Sequence, residues 1–518
     1  MKQFLLPAAM MLLAGAAATA QQANVYASNV KASGTNEVTM VLNTDATNVI
    51  IEVLDAQGNV VGSEDLGAGK KGTNTFEIKE TGVADGAYSY RVVCKADAVT
   101  EFKQISSDSD ELLQIANTRG VSIDNNTASP YFGRIYATSI AANAKTGARL
   151  GTGLYILGAD GSDVTAQEGN PYAGGESWSG NSGPMRPFVA EDGNVYVCDW
   201  TDGHSGVWVM DPATPEANWR PVFGGTRNGD GLASQDGVNI HGSVNGLFLT
   251  GKGEDLKMYT IDEDLNPYGD GYEHLVRYDL GTQTTPWVVA PSQTYDIFYL
   301  TKEDGEKAAR LVNGNQGCRS DAHGGAWISQ YRFQPDAYPC VSHINLTTGE
   351  YDYTSLVEQD GADPKEGIFK GTTPVGALGV SPDGKYVAVG NAAIINVAEA
   401  TYDENGVPSL ELKYESSLAV GARPFDIAFD VAGNLYVANN DNNSGIVIFA
   451  LPKADNSFTT PANDTITLAN QESGVGSVSI DSNVTPVYFD MMGRKVANPE
   501  AGKVYIEVRG ANASKVVL

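Results

Sequence analysis

Arg423-Pro424-Phe425-Asp426-Ile427-Ala428-Phe429 runs into a turn at Gly433, and the chain returns as Asn434-Leu435-Tyr436-Val437. Both arms are apolar and β-prone, and the glycine between them supplies the reversal. The unit recurs between about Ser107 and Pro461, with turn glycines at Gly133, Gly193, Gly246, Gly324, Gly384 and Gly433, spaced 60, 53, 78, 60 and 49 residues apart. The strands that follow share one character: Arg134-Ile135-Tyr136-Ala137, Asn194-Val195-Tyr196-Val197, Leu247-Phe248-Leu249, Gly325-Ala326-Trp327-Ile328 and Lys385-Tyr386-Val387-Ala388. A sheet with one wet face alternates apolar and polar residues, so strands this apolar need cover on both faces. Radially stacked blades supply it, because each inner strand is sandwiched between neighbouring blades. Helical periodicity is nearly absent. The reading is an all-β chain with a six-bladed β-propeller over 107–461; the 78-residue interval leaves a seventh blade or a sandwich pair as alternatives.

The Arg423–Phe429 and Gly433–Val437 pair resembles the blades of NHL-like and lactonase-like propellers. At either end lies a smaller module. Residues 21–100 contain Val49-Ile50-Ile51-Glu52-Val53-Leu54, the turn Asp55-Ala56-Gln57-Gly58, then Val60-Val61, and later Gly86-Ala87-Tyr88-Ser89-Tyr90-Arg91-Val92. This segment resembles the Ig-like β-sandwich of flagellar hook-capping proteins. Residues 477–518 repeat the scheme in shorter form. They resemble the sorting domain of type IX secretion cargo at Tyr488, Asp490, Gly493, Arg494, Val496, Gly502, Tyr505, Val508, Lys515 and Val517, with Phe489 interposed between Tyr488 and Asp490. The resemblance implies contact with secretion machinery.

Lys2, an apolar run from Phe4 to Leu13 and the small-residue end Ala18-Thr19-Ala20 have the layout of a signal peptide over residues 1–20. No later stretch is long and apolar enough for a transmembrane anchor. The expected location is secreted or cell-surface, with the periplasm as the alternative. There are 63 acidic and 34 basic residues, a formal net charge of −29, which argues against nucleic acid as a partner. Glycine is abundant at 58 residues without a G-X-Y period, which excludes collagen and favours a turn-dense β chain. Of the four cysteines, Cys94, Cys198, Cys318 and Cys340, only the last two are close enough in sequence for a bridge, and four buried thiols are the alternative.

In a propeller the starts of the innermost strands and the loops after the second strands surround one mouth of the channel. Arg119, Arg186 and Arg423 take the same place at the start of three such strands, with Asp236 near the third blade's start and Asn315 and Gln316 near the fourth's. Converging guanidinium groups repel unless they share an anion, so these residues point to a carboxylate-bearing sugar or peptide; bridging of carbonyls between blades is the structural alternative. The loops Cys198-Asp199-Trp200-Thr201-Asp202-Gly203-His204 and Asn439-Asn440-Asp441-Asn442 combine an indole with hydrogen-bonding groups, as carbohydrate sites do. Asp199, Trp200, His204, Asn439 and Asp441 therefore join the candidate ligand set, although Asn, Asp and Gly also dominate ordinary turns. Asp262, Asp264 and Asn266 begin a D-x-D-x-N pattern that points to Ca2+, against which stands Pro267 in place of the expected glycine.

His323 falls at a turn position, and the other histidines form no H-E-x-x-H pattern. Neither a G-x-S-x-G element nor a phosphate or dinucleotide loop is present. The sequence thus favours a binding protein that presents a glycan, peptide or anionic small molecule with a site at the channel mouth. The alternative is a propeller enzyme of the lactonase or polysaccharide-lyase kind acting on sugar lactones or uronate-containing glycans.

Overall fold

The computed structural model describes residues 22–140, 149–164, 170–178, 183–201, 204–224, 227–228, 231–233, 239–241, 244–262, 274–282, 292–296, 315–330, 341–355, 369, 377–391, 394–418, 422–440, 445–470, 485–509 and 512–518. The expected signal peptide, Asp236, Asp264, Asn266, Cys340 and Asp441 lie outside the described residues. Strands dominate, and the single helical element among the described residues is a 3-10 turn at Gly253–Asp255. No helix among them is long and apolar enough to cross a membrane.

Six sheets form the propeller. Their innermost strands are Thr118–Ile123, Pro187–Val189, Val244–Thr250, Asn315–Ser320, Ala377–Val380 and Pro424–Phe429. Each touches the next in that order, and the sixth touches the first, so the ring closes. The second strands Ile135–Ser139, Val195–Asp199 and Asn434–Asn439 are buried at every residue. Cover from both neighbouring blades explains why these strands carry no polar alternation.

Blade 6 is completed from the other end of the domain. Lys103–Gln104 precedes blade 1 and pairs antiparallel with Gly445–Ala450, joining Gln104 to Phe449 and Lys103 to Ala450. Opening the ring therefore requires breaking a sheet as well as an interface.

The third blade differs from the sequence reading. Gly246 lies within the innermost strand Val244–Thr250, opposite Ile261, and the turn falls at Gly251-Lys252-Gly253. Gly251 has φ 71 and Gly253 φ 60, conformations that a side chain disfavours, whereas Gly246 is absent from the positive-φ residues. Leu247-Phe248-Leu249 is consequently the inner strand of its blade, and Lys257–Asp262 is the second. An apolar run beside a glycine has the same appearance on either side of a turn.

The N-terminal module is a two-sheet sandwich, and it recruits a strand from beyond the propeller. Ala27–Gly34, Glu37–Leu42 and Gly72–Glu77 form one sheet; Ser457–Leu468, Gly86–Lys95, Ala46–Leu54 and Val60–Gly69 form the other. These strands alternate, with Val38, Met40, Leu42, Val49, Ile51, Val53, Tyr90, Val92 and Cys94 facing the core between the sheets. The expected limits of 21–100 and 107–461 thus shift: Ser457–Leu468 belongs to the sandwich, running beside Gly86–Lys95. A strand reached across the whole propeller has no local signature.

The sandwich docks on the turn face at blades 6 and 1 through buried asparagines. Asn24 N–H donates to Asn434 Oδ1 at 2.8 Å, and Asn434 Nδ2 returns a bond to Asn24 O at 2.9 Å. Asn456 Oδ1 accepts from Val25 N–H at 2.8 Å, while its Nδ2 donates to Ala23 O at 3.0 Å and Asp97 O at 2.9 Å. Tyr26 packs on Phe132 and Phe458 with ring centroids 5.5 and 6.2 Å away.

One turn recurs in all three modules. Asp55 Oδ1 accepts from Gln57 N–H and Asn59 N–H, Asp430 Oδ1 from Ala432 and Asn434, and Asp490 Oδ1 from Met492 and Arg494. In each, a positive-φ glycine (Gly58, Gly433 or Gly493) sits three residues after the aspartate. The C-terminal sheet has the order Lys495–Val496, Val487–Phe489, Val504–Arg509, Asn512–Val517.

Candidate functional site

The channel is crossed at mid-depth by three charged side chains. Arg186 is fully enclosed; it donates from Nη2 to Phe425 O at 2.6 Å and from Nη1 to Asn245 O, and its Nε lies 3.5 Å from Asp426 Oδ1. Arg319 reaches over from blade 4, its Nη2 donating to the same Asp426 Oδ1 at 2.5 Å and its Nη1 to Cys318 O at 2.9 Å. Asp426 Oδ2 accepts from Val121 N–H at 3.1 Å. Burial lowers the pKa of Arg186, the neighbouring Arg319 adds to that, and Asp426 opposes both. Arg186 is thus an inter-blade bridge inside the ring: its guanidinium is spent on blade 3, blade 6 and Asp426, which keeps it away from the ligand set expected of it.

The upper mouth, where the inner strands begin, keeps the other two arginines together. The guanidinium carbon of Arg119 stands 4.5 Å from the Phe425 ring centroid and 5.5 Å from that of Trp200; Arg423 stands 5.2 Å from Phe425. Phe425 is buried, Arg119 and Trp200 are half-buried, and Arg423 is exposed. Two cations thus bracket one ring beside an indole. Asn439 is buried, and its Oδ1 accepts from Arg423 N–H at 2.7 Å, which sets the backbone from which that side chain leaves.

His204 is held at both nitrogens, by Asp199 Oδ2 at 2.7 Å from Nδ1 and Glu176 Oε2 at 2.9 Å from Nε2. It stacks on Trp208 at 4.5 Å, with Trp178 edge-on at 5.1 Å. Burial works against its charge, but the two carboxylates outweigh burial and raise its pKa. Asp199 is fully buried and also accepts from Thr201 N–H at 2.8 Å. Asp199 and His204 therefore form a braced ion-pair unit within the tryptophan cluster, and Trp200 is the member of that loop lying beside Arg119.

Asp262 ends the second strand of blade 3, on the side of the upper mouth. No group of three or more metal-ligating side chains occurs among the described residues. Cys94, Cys198 and Cys318 are buried free thiols, so the bridge between Cys318 and Cys340 is absent; burial pushes each of the three up to about 12.

Residues 27–97 match the model of the FlgD Ig-like domain. No curated protein matches the chain. Among solved structures, the chain is similar to the β-propeller domain of Cps50 (Swd1) from Myceliophthora thermophila, at 12% identity over 66% of this chain and 88% of that one, with a TM-score of 0.37. It is also similar to candidate 6-phosphogluconolactonases from Bacteroides uniformis (12% identity, 82% and 97% covered, TM-score 0.36) and Bacteroides fragilis (11%, 82% and 96%, 0.38).

The lower mouth, ringed by the turns, holds features that sequence reasoning missed. A cavity of about 470 Å³ opens there, lined by residues of all six blades, among them Arg319, Asn125, Asp124, Asp321, Lys252 and Ile427. Arg319 is the second-last residue of its strand; counting back from Gly324 would have placed it near a channel end, but nothing local distinguishes it from a surface arginine. Asp321 shares a bond with His343 Nε2 at 2.8 Å, and His343 Nδ1 meets Asp352 at 2.6 Å. Burial alone would raise Asp321; the bonds from His343, Gly325 and His323 hold it below its usual value.

Proposed function

We propose that the protein is an exported binding protein whose propeller captures an anionic ligand, a carboxylate-bearing glycan or peptide, at the upper mouth. One observation supports this above the others: Arg119 and Arg423 bracket Phe425 beside Trp200 in a chain of net charge −29. A carboxylate bound beside this ring lies within reach of both guanidinium groups and offers each a charge-assisted bond. Trp200 adds an apolar face on which a sugar ring or peptide side chain can stack. Arg186 lends no donor to this ligand; with Asp426 it stiffens the floor beneath.

Calorimetry with oligogalacturonate and its methyl ester tests the reading. The acid is expected to bind at least about tenfold more tightly than the ester, and Arg119→Ala or Arg423→Ala to remove most of that preference. Equal binding of acid and ester, or an acid preference that survives both substitutions, overturns it. Release of shortened or unsaturated sugars during the titration would replace binding by catalysis.

A further inference from the structure

We propose that the connection from blade 1 to blade 2 carries a pH-sensitive latch. Protonated His204 ties Glu176, in the segment 170–178, to the upper-mouth loop of blade 2, and loss of the imidazole proton lets that segment go. The latch stands on the surroundings of one histidine and does not depend on a ligand at the upper mouth.

Both ring nitrogens of His204 meet carboxylates, Nδ1 at Asp199 Oδ2 and Nε2 at Glu176 Oε2. An imidazole donates from both nitrogens only when it is charged, so the two bonds coexist only in the protonated state. Among the described residues, Asp199 from its own loop and Glu176 from the connection are the charged groups facing the ring. Trp208 on the third strand of blade 2 and Trp178 on the connection cover it without adding charge.

The two carboxylates differ in what the loss of a donor costs them. The Asp199 side chain is fully enclosed, and a Cβ added at Gly183 would strike its carboxylate, so backbone lies against it where water would have to enter. The Glu176 side chain keeps 25% of its surface and can turn to solvent. The one proton of a neutral imidazole therefore stays on Nδ1, against the buried partner. Nε2 then presents a lone pair to Glu176 Oε2 at 2.9 Å, and two acceptors at that distance repel. The latch opens on the Glu176 side.

The first half of the segment has ties of its own. Tyr172 and Leu154 exchange two backbone bonds of 2.9 Å, and Gly174 O accepts from Trp219 N–H at 2.8 Å. Past Gly174, Glu176 N–H and Trp178 Nε1 both turn back to Ala173 O. Among the described residues, the bond to His204 is the one that fastens this second half to another part of the chain. Trp178 lies 5.0 Å from Trp208 and 5.8 Å from Trp219, over rings that are each 4% exposed. Release of residues 175–178 uncovers this apolar seam between blades 1 and 2.

Hydrogen exchange of the full chain, followed by mass spectrometry in steps from about pH 5.5 to about pH 9 with times scaled to the intrinsic rates, tests the latch. Protection in peptides from 170–178 is expected to fall about tenfold, with a midpoint above 6.5, while that of Val195–Asp199 stays level. Glu176→Gln is the decisive variant: its amide donates to the neutral Nε2, so protection is expected to persist to the alkaline end. His204→Gln, with no proton to lose in this range, is expected to abolish the step. Because Glu176 is partly exposed, Glu176→Gln carries the test if His204→Gln fails to fold. A level profile in the native chain, an equal fall in Glu176→Gln, a step that survives in folded His204→Gln, or a fall shared with Val195–Asp199 overturns the proposal.

Discussion

Arg319 of blade 4 and Asp426 of blade 6 meet across the channel at 2.5 Å, with Arg186 closing on the same carboxylate from blade 2. Removing Asp426 takes away the carboxylate that two buried guanidinium groups share. Asp426→Ala is expected to cost about 3–5 kcal/mol, by the general behaviour of buried pairs that lose one partner. Urea unfolding followed by tryptophan fluorescence measures it, and a loss near zero would mean that water enters the channel centre.

Asn456 joins the sandwich to the strand that leaves the propeller, using three hydrogen bonds while 2% exposed. Asn456→Ala strands the Val25 N–H and two carbonyls in the junction. The expected loss is on the order of 2–4 kcal/mol, because unsatisfied buried groups cost more than the mean hydrogen bond gains. Limited proteolysis should then cut between the sandwich and the ring before cutting within either.

His343 is 1% exposed between Asp321 and Asp352, and these partners overcome burial and raise its pKa. A group whose folded pKa exceeds its unfolded one stabilises most below the unfolded value and loses that contribution as pH rises through the folded one. The stability gap between the native chain and His343→Gln should therefore be widest in mild acid and narrow above neutrality. Melts of both proteins across that range check the sign.

Asp430, beneath the docked sandwich, has its pKa raised to about 6 by burial, against the bonds from Asn434, Tyr436 and Ala432 that favour the carboxylate. Its proton is thus held more tightly in the folded chain, so its contribution declines as pH rises from 3.8 towards 6. A shift of this size corresponds to on the order of 3 kcal/mol. Asp430→Asn removes that slope, and the pH dependence of unfolding should be shallower in the variant over this interval.

The repeat of apolar strands and turn glycines was enough to read the ring, because a strand covered on both faces must be apolar throughout. Within the ring it misjudged blade 3, where Gly246 lies inside the inner strand and the turn glycines lie further on. The site was less legible. Arg119, Arg186 and Arg423 occupy equivalent sequence positions, yet Arg186 turns inward to Phe425 O and Asn245 O while Arg119 and Arg423 gather on Phe425. Side chains at matching positions diverge because their neighbours across the blade interface differ, and those neighbours lie tens to hundreds of residues away.

Local pattern alone determined the all-β character, the blade repeat and the alternating strands of the N-terminal sandwich, since these follow from which faces of a strand must avoid water. Tertiary structure decided which residues meet: the return of Ser457–Leu468 to the sandwich, the closure of blade 6 by Lys103–Gln104, and the pairing of Arg319 with Asp426. Such pairings are settled by ring closure and by the need to partner every buried charge, conditions imposed on the folded chain as a whole and written in no single segment of it.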